Sequence, residues 1–133
     1  MVTAQYQDRM RTRPPSGQAV EPTRGLRPER KVLHGDYCTL EPLDAARHAS
    51  DLFAASHGQP DQLRIWDYLP AGPFADFPSF SQWISGCAAS TDPLFYAIRD
   101  RKTGRTTGMA SYLNIHPGPG SIEIGHIMFG SPL

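Results

Sequence analysis

No part of this chain of 133 residues approaches the ~18 consecutive apolar residues that a membrane-spanning helix needs. The N-terminus also lacks the apolar core, about 7–15 residues long, of a secretory signal. Cysteine is scarce. Cys38 and Cys87 stand far apart, so they make neither a disulfide framework nor a metal knuckle, and a reducing cytoplasm is the expected setting. Net charge is absent too: 13 Lys and Arg balance 13 Asp and Glu, so nothing global calls for nucleic acid or an anionic membrane. The length suits one domain and not two.

The overall balance hides an asymmetry. Residues 1–31 carry seven basic groups against three acids, a net +4, and the remainder carries six against ten, a net −4. Residues 1–30, rich in Arg and Pro, show no hydrophobic period and are expected to be a disordered basic tail. An organellar transit peptide is the alternative for this segment. No aromatic platform accompanies its arginines, so specific nucleic-acid binding is not expected.

From Lys31 the pattern tightens into one domain over residues 31–133. Val32 to Leu40 reads as a first strand, bent at Gly35-Asp36. Asp44 is an N-cap, and Ala45, Ala49, Leu52 and Phe53 share one helical face that ends at Gly58, where a left-handed residue is expected. An aromatic loop from Trp66 to Phe74 follows. A second helix starts near Asp76, shows Phe80, Trp83, Ile84 and Cys87 along a stripe, and stops at Asp92-Pro93.

The rest is a meander. Leu94–Arg99 is the second strand. Thr107–Ile115 is the third, with Met109, Ser111, Leu113 and Ile115 on one side and Ala110, Tyr112 and Asn114 on the other. Ser121–Phe129 is the fourth, apolar enough to be interior, beyond a turn at His116-Pro117-Gly118-Pro119-Gly120. A buried-looking strand as the last element leaves an open sheet edge, which raises the expectation of a domain truncated after its fourth strand. His34, His48, His57 and His116 show no ligand spacing, so no metal site is indicated.

This order of elements contains Leu40-Glu41-Pro42-Leu43, Trp66-Asp67-Tyr68-Leu69, Gly72-Pro73-Phe74, Asp92-Pro93-Leu94-Phe95-Tyr96, Gly108-Met109-Ala110-Ser111-Tyr112 and Ile122-Glu123-Ile124-Gly125-His126-Ile127. Together they resemble the N-terminal part of a GNAT-superfamily N-acetyltransferase, in the branch that includes ribosomal-protein alanine N-acetyltransferase-like enzymes. The fold class implied is α+β: a partial GNAT fold of four largely antiparallel strands with two helices. The resemblance implies acetyl-CoA as co-substrate and an amine acceptor. After its fourth strand the family places an Arg/Gln-x-x-Gly-x-Gly/Ala loop that holds the coenzyme pyrophosphate at a helix N-terminus. This sequence reaches Gly130-Ser131-Pro132-Leu133 at that point, so coenzyme binding is expected to be impaired.

Acetyl transfer needs a neutral amine, whereas amines are mostly protonated at neutral pH. A carboxylate can take that proton, and Glu123 is the candidate catalytic base; its structural alternative is a strand-end acid that faces solvent or pairs with Arg99 or Arg105. His126 is the candidate proton relay, or else a hydrogen-bonded core histidine. In a regular strand it lies on the face opposite Glu123, unless a bulge breaks the parity.

Ile127, Met128 and Phe129 match the stretch whose backbone pairs with the pantetheine amides in the family. As sequence alone they are core residues. Trp66, Tyr68 and Phe74 match the acceptor-lining loop, or form a satellite hydrophobic cluster. Ser111 and Tyr112 are mid-strand candidates for the same cleft. Neither cysteine sits where the thioester is delivered, which implies direct attack by the amine. The competing expectation is a catalytically inactive module that associates, with itself or a partner, through its open fourth strand.

Overall fold

The structure, a computed structural model, describes residues 17–19, 21 and 23–131. Aspartates start both long helices. The Asp44 side chain accepts from the Arg47 amide at 3.0 Å and Asp76 from the Ser79 amide at 2.9 Å. Each thereby satisfies a donor that a first helical turn leaves unpaired. The helices are α1, Ala45–His57, and α2, Phe77–Ala89. Between them, where a loop was expected, Pro60–Tyr68 forms a 3-10 helix. The Gln62 side chain fixes its start by accepting from the Gln59 amide at 2.9 Å.

Gly58 ends α1 with φ −67°, an ordinary helical value and not the left-handed one expected. Glycine is needed there for another reason: a Cβ would stand 2.5 Å from the Ala54 carbonyl oxygen.

Five strands form one antiparallel sheet in chain order: β1 Leu33–His34, β2 Cys38–Pro42, β3 Leu94–Asp100, β4 Thr106–His116 and β5 Ser121–Phe129. The segment read as a single bent strand is therefore a hairpin. The chain reverses at Gly35-Asp36, Leu33 pairs with Leu40, and the Gly35 amide donates to the Cys38 carbonyl at 2.9 Å. A short extended run with Gly-Asp inside it satisfies more backbone groups by pairing with itself than by bending.

The two faces of the sheet differ. Phe95, Ala97, Met109 and Met128 meet Leu52, Phe80 and Ile84 of the helices, and these last three are 0% exposed. Burying a side chain of this size stabilises by roughly 1.5–3 kcal/mol. The other face carries Leu94, Tyr96 and Ile115, with Leu40 and Tyr112 packed beside them. Ile115 thus lies on the side opposite the one expected. Asn114 and Ile115 together face the single residue Ile122 across β4 and β5, and that bulge reverses the alternation.

Residues 1–16, 20 and 22 of the basic segment lie outside the described residues, so its expected disorder is read only from Gly17 onward. Its last part is docked. The Gly25 amide donates to the Pro117 carbonyl at 2.8 Å, and the Tyr96 hydroxyl donates to the Glu29 carbonyl at 3.0 Å. The Arg30 guanidinium donates to the Ala88 and Ser90 carbonyls at 3.0 and 2.7 Å. These carbonyls belong to the C-terminal end of α2, where unpaired acceptors and the negative pole of the helix favour a cation. Replacing Arg30 by Ala is expected to cost about 0.5–1 kcal/mol of stability. Urea denaturation checks this, and an unchanged midpoint contradicts the capping role.

Candidate functional site

Among the described residues two non-glycine residues hold left-handed backbone conformations, Asn114 at φ 49° and His126 at φ 48°, and each sits in a bulge of the β4–β5 pair. At the second bulge His126 and Ile127 together face Ala110, because Met109 pairs with Met128 while Ser111 pairs with Gly125. Parity along β5 breaks at this point. The His126 ring lies 5.6 Å from the Phe95 ring, on the face that packs against the helices. Glu123 pairs with Leu113, two positions from the Ser111–Gly125 pair on that same face. The bulge therefore brings Glu123 and His126 to one side of the sheet, which a regular strand forbids.

His126 lines a narrow cleft of about 20 Å³. Its other lining residues are Leu69, Pro70 and Ala71 of the loop, Trp83 of α2, and Phe95, Met109 and Met128 of the sheet. Glu123 is exposed beyond the cleft, and the Asn114 side-chain amide donates to its Oε2 at 2.7 Å. Its expected structural partner Arg99 instead reaches Glu41, at 3.4 Å.

The other expected site residues divide between the faces. Ser111 is buried on the helix side and its hydroxyl donates to the Gly125 carbonyl at 3.0 Å. Tyr112 lies on the opposite face, its ring 5.8 Å from that of Tyr96. Met128 is core, whereas Ile127 and Phe129 are exposed along β5, the outermost strand among the described residues. The outward amides and carbonyls there have no strand beside them. Free edge groups of this kind can pair with an added extended segment.

Trp66 is 2% exposed and has no surface to offer an acceptor. It stands edge-on to Phe74, Phe80 and Trp83 with ring centroids 5.6, 6.2 and 5.5 Å away. Among the described residues its indole N–H finds no hydrogen-bond partner. Gly72 makes room for this ring: at φ 74°, a Cβ would meet Trp66 at 2.5 Å. Tyr68, by contrast, is 96% exposed, and Phe74 is half-buried.

Two polar arrangements carried no signal in the sequence. Glu41 is buried, accepting from Arg47 at 2.7 Å and approached by His48 and Arg99 at 3.4 Å. Burial works against its charged form. The His48 hydrogen bond, the Arg47 charge and Arg99 outweigh that penalty and hold its carboxyl below the usual range. The second is His57. The Ser56 hydroxyl donates to the Leu52 carbonyl at 2.7 Å, so it accepts from His57 Nδ1–H at 2.8 Å. That leaves Nε2 to accept from the Phe74 amide at 3.0 Å. The neutral ring, stacked on Phe53, pins the aromatic loop to α1. Burial lowers its pKa.

Burial also pushes the Cys87 thiol up to about 11, so it is not a thiolate at neutral pH.

No protein-family model and no curated protein matches the chain. Among solved structures it resembles a GCN5-related N-acetyltransferase from Brucella melitensis, with TM-score 0.78 and 38% identity over 82% of this chain and 49% of that one. It also resembles a structure from Chromobacterium violaceum ATCC 12472 described as a probable acetyltransferase of the GNAT family, with TM-score 0.73 and 28% identity over 90% of this chain and 59% of that one. The fold is thus shared with GNAT acetyltransferases, and the chain spans about half the length of the first of these structures.

The neutral state of His57 has a consequence for acid stability. With its folded pKa lowered, the unfolded chain takes up the proton first as pH falls below about 6.5, so stability is lost in that range. His57→Gln is expected to flatten the fall in thermal midpoint between roughly pH 7 and pH 5. Parallel curves for the two proteins contradict the assignment.

Proposed function

We propose that the chain carries part of the active site of an acetyl-CoA-dependent N-acetyltransferase acting on a primary amine, either a protein N-terminus or a small amine. The observation that supports this most is the bulge at His126-Ile127, which puts Glu123 on the same side of the sheet as His126, a lining residue of a small apolar cleft. The shared fold agrees with it. In this reading residues 31–133 correspond to the N-terminal part of the acetyltransferase domain, ahead of the coenzyme pyrophosphate loop, and the basic segment precedes it, with Gly25–Arg30 docked against it. A cytoplasmic setting fits two free thiols.

Acetyl-CoA supplies a thioester carbonyl. Glu123 takes a proton from the acceptor ammonium, directly or through His126, and so leaves the nitrogen with a lone pair for the carbonyl carbon. As the C–N bond forms the C–S bond breaks, and the surplus proton left on the nitrogen goes to the departing sulfur, giving the amide and the free thiol of coenzyme A. The backbone of Ile127–Phe129 holds the pantetheine arm as an added strand would. In this reading the acceptor meets the loop that carries the exposed Tyr68 and the half-buried Phe74, and Trp66 packs edge-on against Phe74. This reading gives Ser111 and Tyr112 no role, since the Ser111 hydroxyl donates to the Gly125 carbonyl and Tyr112 packs on the opposite face of the sheet.

The test is acetyl transfer by the protein encoded by the full reading frame in which these residues lie, followed by thiol release against a panel of amines. Glu123→Gln is expected to lower kcat by about 10²–10⁴ at neutral pH. Wild-type turnover in that variant contradicts the role of Glu123. Absence of both turnover and any acetyl-CoA-induced rise in melting temperature contradicts the acetyltransferase reading.

A second reading is favoured by a specific observation. Ile122, Ile124, Ile127 and Phe129 are 47, 64, 44 and 61% exposed along the outermost strand. An apolar open edge is a template for pairing. In this reading the chain associates with a second copy through β5, and sedimentation velocity of the 133-residue chain shows mass rising with concentration. A monomer at all concentrations removes it.

A further inference from the structure

We infer that Asn114 is a positioning residue for Glu123, fixing which carboxylate oxygen faces the substrate; this rests on the reading of Glu123 as the base. Glu123 is an exposed side chain on the outermost strand, and such a side chain samples many rotamers unless tethered. The tether is the 2.7 Å bond from Asn114 Nδ2 to Oε2, a neutral donor on a charged acceptor and therefore among the stronger kinds. The other oxygen, Oε1, lies 3.8 Å from where a Cβ of Gly125 would stand. The Leu113 side chain fills the place a Gly125 side chain would take, its Cδ2 lying 2.8 Å from that Cβ position, and so packs beside the Glu123 carboxylate. The bond thus engages Oε2 and leaves Oε1 as the oxygen that takes a proton.

Asn114 is itself held. Its backbone sits at φ 49°, a region that Asn tolerates better than other side-chain-bearing residues. The two oxygens of Asp92 accept from the successive amides of Asn114 and Ile115, at 2.9 and 3.0 Å. These contacts fix the bulge, the bulge aims the Asn114 amide, and the amide aims Glu123. A surface bond that formed by chance would not need a bulge anchored at two backbone donors to point it.

Asn114→Gly tests the role, because it keeps the left-handed backbone and deletes the amide. In the protein from the full reading frame, kcat is expected to fall about tenfold, with the KM for acetyl-CoA and the unfolding midpoint unchanged. Asn114→Asp, which keeps the shape but sets a carboxylate against Glu123, is expected to fall at least as far. In parallel, the Asn114 side-chain amide protons, followed by NMR, are expected to shift on Glu123→Gln. Full kcat in Asn114→Gly overturns the positioning role while the acetyltransferase reading stands. Amide protons indifferent to Glu123→Gln overturn the contact itself. A wild-type protein that transfers no acetyl group, with the amide protons still coupled to Glu123, overturns the acetyltransferase reading and reduces the bond to a structural one.

Discussion

The arrangement of the candidate site depends on one carboxylate that is not part of it. Asp92 sits between the end of α2 and the start of β3, and its two oxygens accept from the backbone of Asn114 and Ile115 in β4. A bulge leaves backbone donors without ladder partners, and such donors are costly unless something else accepts from them. Asp92 provides that acceptor for two of them at once. With this bulge stabilised, Ile115 turns to the outer face to join Leu94 and Tyr96, and Asn114 is left over β5 beside Glu123. The site residues are therefore set by β4 and by the loop before β3 as much as by the strand that carries them.

The rest of the molecule holds this hairpin against the helices. Met109 and Met128 form the floor under α1 and α2, and a dense set of rings fills the space between the helices and the 3-10 segment. His57 works in that set as a hydrogen-bonding pin and not as a catalyst, since both of its nitrogens are engaged. On the opposite face, residues Gly25–Arg30 run from the β4–β5 turn to the C-terminal end of α2 and cover Tyr96 on the way. The buried Glu41 carboxylate joins β2 to α1 through Arg47 and His48, and to β3 through Arg99. Breaking such a group costs more than its net contribution to stability, because the remaining charges are left unpaired.

Much of this was legible in the residues. Asp44 and Asp76 announced both helices, and the apolar stripes Ala49-Leu52 and Phe80-Ile84 lie in the core as their spacing implied. The strands of the meander fall within a residue or two of their expected limits. Strand parity failed at Asn114 and His126, because alternation presumes an unbroken ladder and neither residue advertises a bulge as glycine would. Asn114 is the nearer miss: Asn is the side-chain-bearing residue most at home at positive φ. The Arg30 cap and the Arg99–Glu41 contact each join residues 58 positions apart, a separation that no local pattern reports. The open edge of β5 was anticipated, although its side chains Ile124 and Phe129 are exposed and not interior.

The central claim is that the bulge turns His126 onto the face that carries Glu123 and Phe95. Nuclear Overhauser contacts of the His126 ring protons measure this most directly. The account predicts cross-peaks to the Phe95 ring, whose centroid lies 5.6 Å away, together with contacts to Trp83 and Met128 around the cleft. Cross-peaks to Ala110 and Tyr112 on the outer face, with none to Phe95, would mean that β5 keeps its alternation. Glu123 and His126 would then not share a site.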